Sequence, residues 1–104
     1  MVDAALLARL PRHARLINVA SGEIVEEAAL IEALREGRLA GAYLDVFEKE
    51  PLPQDSPLWD LPNVLVSPHN SSAASGNDSR VFDIFVENLA RIARSEALLN
   101  AVHD

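Results

Sequence analysis

Three compact apolar runs, separated by a helical pattern and then by a proline-rich loop, constrain the fold of this chain most strongly. The first two runs are Leu16 to Ala20 and Leu39 to Phe47. Short apolar runs without polar alternation are typical of parallel strands that are buried on both faces. Between them, Glu26 to Glu36 carries apolar residues at helical spacing, and a strand-helix-strand order predicts a right-handed parallel crossover. The sequence therefore predicts an α/β fold with an open parallel sheet.

The third apolar run, Asn63 to Val66, predicts a third strand. The loop before it, Glu48 to Pro62, contains four prolines, and we expect no regular structure there because proline interrupts both helices and strands. Leu58, Trp59 and Leu61 are expected to pin this loop to the core. About three strands with flanking helices correspond to half of a doubly wound sheet.

Helical patterns also lie near both ends of the chain. Asp3 to Leu10 predicts a short helix that Pro11 ends. After a stretch of small residues from Ser71 to Ser79, a last helix is expected from about Arg80 to Arg94. Its apolar stripe is broad, so we expect it to require a sizeable partner surface.

Charge and hydropathy exclude several classes of partner. The net charge is −7, and the sequence has no cluster of Lys and Arg, which argues against binding to nucleic acids or anionic membranes. No apolar run approaches the roughly 20 residues of a membrane span, and the start lacks the basic-then-apolar order of a secretory signal. We therefore expect a cytoplasmic protein that is not attached to a membrane.

Metal chemistry is not expected. The chain has no cysteine, which excludes disulfides and thiolate ligands. Its three histidines, His13, His69 and His103, are too widely spaced to form a ligand motif.

Three polar clusters follow the three predicted strands: Ala20 to Gly22, Asp45 to Glu50, and Pro68 to Asn70. Ligands of open parallel sheets bind at the carboxyl ends of the strands, so these clusters form a candidate site. Within it, His69 can act as an acid or base near neutral pH, and Glu50 is its plausible partner. The alternative is that both residues only serve the turns in which they lie.

The motifs Asp45-Val-Phe-Glu-Lys-Glu-Pro51 and Ser67-Pro-His69 resemble those of the NAD-dependent D-isomer-specific 2-hydroxyacid dehydrogenases, in particular glyoxylate and hydroxypyruvate reductases. The resemblance implies that residues 1–104 form the C-terminal half of a NAD-binding domain, with a partial Rossmann-like sheet and a return helix at about residues 80–94. It also implies oxidoreductase activity on a small D-2-hydroxy acid or 2-keto acid, a homodimer, and NAD or NADP as cofactor, with NAD favoured.

The same resemblance implies roles for individual residues. His69 would be the proton donor, oriented by Glu50, and Ser21 would occupy the third catalytic position. The cofactor would be contacted at its nicotinamide end, where Asp45 would bind the carboxamide. The residues implied for this contact are Val19, Ala20, Ser21, Asp45, His69, Asn70, Ser71 and Ser72.

Two features depart from the family pattern. Ser21 stands where the family has an arginine that grips the substrate carboxylate. Because a hydroxyl offers one neutral donor in place of a two-pronged cation, substrate binding should weaken by on the order of 2 to 4 kcal/mol. Arg12, Arg15 or Arg80 could in principle replace that cation. The second departure is that the four glycines do not form the G-x-G-x-x-G loop that admits a pyrophosphate.

These departures leave two alternatives open. The chain could be a catalytically inactive dimerisation or interaction module derived from the same family. A Ser21–His69–Glu50 triad for acyl transfer is a further possibility, although the sequence has no nucleophile elbow.

Overall fold

The computed structural model describes residues 1–102, which form two compact units. The first unit is Met1–Ser71, and the second begins at Ser72. Of the three histidines considered above, His103 lies outside the described residues. Within residues 1–102, the His, Asp and Glu side chains form no group of three that could hold a metal ion.

The first unit is built on a parallel sheet of three strands in the order β1, β2, β3. The strands are β1 (Arg15–Asn18), β2 (Gly41–Leu44) and β3 (Val64–Val66). This arrangement confirms the predicted α/β class with an open parallel sheet and flanking helices. The strands are shorter than predicted, and the segment after Leu44 leaves the sheet to form the site described below.

One face of this sheet is uncovered within the first unit, contrary to the prediction of strands buried on both faces. Ile17, Tyr43 and Leu65 are paired in register, and the side chains of Ile17 and Leu65 are 70% and 68% exposed. The apolar runs predicted the strands correctly, because their composition suits a sheet covered on both sides. They do not reveal that the first unit leaves one face of the sheet exposed.

The helix between β1 and β2 is α2, and it spans Glu27–Arg35. Its stripe of apolar side chains packs into the core, where Leu30 and Leu34 are almost completely buried. Gly37 ends the helix with a left-handed backbone (φ 64°), a conformation that glycine adopts without steric cost. Both the helix and its glycine cap are confirmed.

The first helix, α1, spans Ala4–Leu7 and is shorter than the predicted segment. Asp3 caps it by accepting a hydrogen bond from the backbone N–H of Leu6 at 2.8 Å. Leu7 is buried in the core. The helix ends early because residues 8–10 form turns before Pro11.

Leu58 and Leu61 anchor the loop between β2 and β3 to the core as predicted, whereas Trp59 is not part of this packing. A short 3₁₀ turn at Pro57–Trp59 interrupts the loop, so the prediction of no regular structure there was wrong. Proline suits this turn because it occupies the first position, where no N–H is needed. Leu58 is buried, whereas Trp59 is 51% exposed and is fixed by its indole N–H, which donates to the Pro53 carbonyl at 2.8 Å.

The second unit contains the helix α3, which spans Asn77–Ala93. It begins three residues earlier than predicted, because Asn77, Asp78 and Ser79 form its first turn and an acidic residue is favourable there. Its broad apolar stripe is exposed, with Phe82 and Phe85 at 64% and 57%. None of the helices within residues 1–102 has the length and apolar character needed to cross a membrane.

Candidate active site

The loops that follow the three strands meet at the carboxyl edge of the sheet. Gly22, after β1, packs directly against the backbone of Phe47, after β2. A Cβ atom at Gly22 would stand 1.9 Å from the Phe47 carbonyl oxygen, so only glycine allows the two backbones to come this close. This packing places the predicted cluster Ala20 to Gly22 directly beside the predicted cluster Asp45 to Glu50.

His69 and Glu50 are paired at this edge. The imidazole Nδ1 lies 2.7 Å from Oε2 of Glu50, while Oε1 of Glu50 accepts the backbone N–H of Phe47 at 3.0 Å. Because an ionised carboxylate can only accept, Nδ1 carries the hydrogen and Nε2 remains free to exchange a proton. The side chain of His69 is 57% exposed, so a small molecule can reach it.

The pair shifts the titration of both groups. The hydrogen bond to Glu50, followed by the charge of Glu50, raises the pKa of His69 above its ordinary value of 6.5. The hydrogen bond to His69, followed by the bond from the Phe47 N–H, lowers the pKa of Glu50 below 4.5. The arrangement thus favours imidazolium beside carboxylate, which is the state in which Nε2 can donate a proton.

Asp45 holds the loop that carries His69. Its carboxylate is fully buried and accepts the hydroxyl of Ser67 and the backbone N–H groups of Asn70 and Ser71, the latter two at 3.1 and 2.7 Å. These bonds, with the Ser67 hydroxyl as the largest cause, hold the pKa of Asp45 well below its usual range. Asp45 is therefore ionised, and its oxygens are engaged by its own chain.

Asn18 positions the turn after β1, a role that the sequence reasoning missed. Its side-chain amide donates to the Ser21 carbonyl at 2.8 Å, and its side-chain oxygen accepts the N–H of Ala20 at 3.2 Å. Asn18 is 3% exposed. A single polar residue within the apolar run Leu16 to Ala20 was the sequence signal that could have identified it.

A cavity of about 330 Å³ joins the turn after β1 to the His69–Glu50 pair. Ser21, Glu50 and His69 all contribute to its wall, together with Glu23 and Glu48. In the described chain, its lining contains carboxylates and neither Lys nor Arg. A second cavity, of about 520 Å³, adjoins His69 and Glu50 on their other side and is lined largely by apolar residues that include Trp59.

The other predicted site residues lie in different surroundings. Val19 is half exposed and its carbonyl accepts the Ser71 hydroxyl at 3.4 Å, so the turns after β1 and β3 are joined. Ala20 lines the smaller cavity. Asn70 is exposed beside His69. Ser72 is the first residue of the second unit, and its role remains a prediction.

The geometry of the first unit does not support Arg12, Arg15 or the acyl-transfer triad, while Arg80 lies in the second unit and stays a prediction. Arg12 donates to the Gly37 carbonyl, at the end of α2, and Arg15 begins β1, at the opposite edge of the sheet. Neither can take the place of an arginine at position 21. Within residues 1–102, the Ser21 hydroxyl makes no hydrogen bond to His69, so the acyl-transfer triad is not assembled.

The family model described as "D-isomer specific 2-hydroxyacid dehydrogenase, NAD binding domain" matches residues 1–71. The chain belongs to this family. The match includes the three strands, the His69–Glu50 pair and the loop held by Asp45.

Curated relatives extend the similarity through α3. The chain is 44% identical over 103 residues to a glyoxylate reductase of Korarchaeum cryptofilum, covering 99% of this chain and 31% of the relative. It is 46% identical over 103 residues to glyoxylate/hydroxypyruvate reductase B of Pectobacterium carotovorum, covering 99% and 32%. The chain thus spans about a third of the length of the curated relatives it matches.

Solved structures of the same family resemble this one. A D-isomer specific 2-hydroxyacid dehydrogenase from Xanthobacter autotrophicus, in complex with NADPH and MES, is 54% identical with a TM-score of 0.78, over 96% of this chain and 40% of that one. An NADPH-dependent glyoxylate/hydroxypyruvate reductase from Sinorhizobium meliloti, in complex with NADP and sulfate, is 40% identical with a TM-score of 0.76, over 97% and 33%.

Proposed function

We propose that this chain is the C-terminal half of the NAD-binding domain of an NAD(P)-dependent oxidoreductase that acts on the CH–OH group of a small D-2-hydroxy acid, or reduces the matching 2-keto acid. The observation that carries the proposal is the His69–Glu50 pair, which faces an open cavity at the carboxyl edge of the sheet. The relatives named above supply the substrate class, with glyoxylate and hydroxypyruvate as the first candidates.

In the direction of reduction, the chain's own task is to deliver a proton to the carbonyl oxygen. A nicotinamide cofactor, when bound, would supply the hydride that the carbonyl carbon receives. His69 donates from Nε2 and becomes neutral, while its Nδ1–H stays bonded to Glu50. The carboxylate keeps the ring in the correct tautomer and favours the charged form before the transfer. In the direction of oxidation, the same nitrogen accepts the hydroxyl proton.

The residues at this edge suit the nicotinamide end of such a cofactor. A carboxamide needs both donors and acceptors. The N–H groups of Ala20, Asn70 and Ser71 are bonded to Asn18 and Asp45, so the backbone carbonyls of Val19, Ala20 and Ser21 and the side chains of Asn70 and Ser72 supply these contacts. We place the nicotinamide there. Asp45 is enclosed by its own hydrogen bonds, so we assign its contribution to holding Asn70 and Ser71 in position.

The more specific features remain proposals of the same account. NAD was favoured on sequence grounds, whereas the two similar structures described above hold NADPH and NADP. The choice depends on the residue that reads the ribose, which follows a glycine-rich loop that this sequence does not contain. We also propose a homodimer in the cytoplasm.

The test uses the polypeptide that carries this sequence, at its native length. Oxidation of NADH and of NADPH is followed with glyoxylate and with hydroxypyruvate for the natural protein, for His69→Gln and for His13→Gln. His13 is an exposed histidine on a turn, so its replacement controls for the loss of an imidazole. We expect turnover in the natural protein and in His13→Gln, and a loss of about 100-fold or more in His69→Gln.

The inactive interaction module remains the second candidate, because Ser21 replaces the carboxylate-binding arginine and no Lys or Arg lines the smaller cavity of the described chain. That candidate predicts no turnover with any keto acid in any variant. Activity that His69→Gln does not reduce would contradict the proposed role of His69.

A further inference from the structure

The hydroxyl of Ser67 lies between a tyrosine and the buried carboxylate at the end of β2. Ser67 Oγ is bonded to Oδ1 of Asp45 and lies 2.9 Å from the hydroxyl of Tyr43. An ionised carboxylate can only accept, so Ser67 donates its one hydrogen to Asp45. Tyr43 must then donate to Ser67. The geometry thus fixes the direction of a chain of hydrogen bonds from Tyr43 through Ser67 to Asp45.

Asp45 extends this chain of hydrogen bonds to the loop that contains His69. Its two oxygens accept the N–H groups of Asn70 and Ser71, the two residues after His69. His69 itself has a left-handed backbone, with φ 52°, which a residue with a Cβ adopts at a cost and keeps only where its surroundings hold it. Glu50 holds the imidazole ring, and Asp45 holds the backbone that follows it.

We propose that Ser67 is a positioning residue, which acts through Asp45 to hold the His69 loop in the conformation that brings the imidazole against Glu50. The step from Ser67 to the loop rests on contacts within the first unit. Only its consequence for proton transfer rests on the proposed function.

Loss of the Ser67 hydroxyl should therefore be detectable at His69. The charged groups that act on the imidazole are Glu50 and Asp45, and Glu23 and Glu48 line the same cavity. In Ser67→Ala, Asp45 loses the hydrogen bond from the Ser67 hydroxyl, and the loop that contains His69 is held less firmly. The imidazole then spends less time against Glu50, and the pKa of His69 should fall towards 6.5.

The experiment is an NMR titration of the His69 imidazole in this chain. We expect a lower pKa in Ser67→Ala than in the natural chain, and recovery in Ser67→Thr, which restores the hydroxyl. Ser56→Ala is the matched control, because Ser56 is a buried serine whose hydroxyl accepts the Leu58 N–H in a different loop. Its titration curve for His69 should equal that of the natural chain.

A kinetic measurement on the protein at native length supplies a second readout. Because misplacement of a reacting group by a fraction of an ångström lowers the rate more than binding, Ser67→Ala should lower kcat by about tenfold. Its KM for the keto acid should stay within about twofold, since Ser67 does not line the smaller cavity that the His69–Glu50 pair faces.

The proposal is overturned if folded Ser67→Ala titrates at His69 like the natural chain, or if Ser67→Thr fails to restore the titration. If Ser67→Ala does not fold, Ser67→Cys replaces it. The thiol fills the space but is a weak donor, so the same fall in pKa is expected and its absence overturns the proposal. If the natural protein shows no turnover, the proposed function fails, while the titration still decides the role of Ser67.

Discussion

Replacement of Gly22 by alanine tests how the site is assembled. The added Cβ would stand 1.9 Å from the carbonyl oxygen of Phe47 and 2.7 Å from the backbone nitrogen of Glu48. Contacts below about 3.0 Å do not persist, so the turn after β1 and the loop after β2 must separate by about 1 Å. All of these atoms belong to the backbone, which cannot yield by a change of rotamer.

The loop after β2 is also tethered, which sets the size of the effect. Glu48 accepts the N–H of Glu27 at 2.8 Å, and Glu27 accepts the N–H of Glu48 at 3.2 Å, so the loop is fixed to the start of α2. Overpacking in a tight site typically costs about 1–3 kcal/mol. Because the neighbours here are backbone atoms held on both sides, we expect Gly22→Ala to cost about 3 kcal/mol.

Urea unfolding of the chain measures this free energy, and Gly37→Ala is the matched control. Gly37 has open space around its Cβ position and differs in having a left-handed backbone, with φ 64°. The control should therefore cost about 1–2 kcal/mol for conformation alone. If Gly22→Ala lowers the free energy of unfolding no more than Gly37→Ala does, the two loops do not approach each other this closely.

Three further predictions concern the core and the site. Leu30 is 1% exposed, so Leu30→Ala should reduce the free energy of unfolding by about 2–5 kcal/mol in the same urea assay, and a loss below about 1 kcal/mol would contradict its place in the core. Ser21→Arg should tighten binding of a small keto acid by on the order of 2 to 4 kcal/mol, which is measured as a lower KM in the protein at native length. Ser21→Gln is the uncharged control, and an equal gain in both variants would count against a carboxylate contact. The stability that Glu50→Gln removes should be greatest between pH 4.5 and 6.5, measured by urea unfolding across pH. The pKa of His69 is raised, so its contribution to stability is present below pH 6.5 and is lost as the pH rises through the pKa of the folded state. The pKa of Glu50 is lowered, so its contribution is present above pH 4.5 and is lost as the pH falls through the pKa of the folded state. If the difference in free energy of unfolding between the natural chain and Glu50→Gln does not change with pH, the His69–Glu50 pair does not form.

Local patterns predicted the elements of the fold well. The apolar runs located the three strands, and the helical stripe with Gly37 located α2 and its end. These features succeed because periodicity and capping are properties of neighbouring residues. The start of α3 was placed late, since Asn77 and Ser79 are as common in loops as in a first helical turn.

Contacts between distant segments were harder to predict. The proximity of His69 and Glu50 followed from the family motif and from the rule that strand ends share an edge. The direction in which the Asp45 carboxylate points did not, because it depends on the loop of Asn70 and Ser71, more than twenty residues later. Asn18 was missed for the same reason, as its partners are defined only once the turn has formed.

The pH dependence of kcat/KM for reduction of a keto acid tests the central claim most directly. It is measured at native length for the natural protein and for Glu50→Gln. If His69 is the proton donor held by Glu50, the rate falls as the pH rises through a value above 6.5, and Glu50→Gln moves this fall to lower pH. A fall at the same pH in both proteins, or a rate that does not change across this range, would contradict the account.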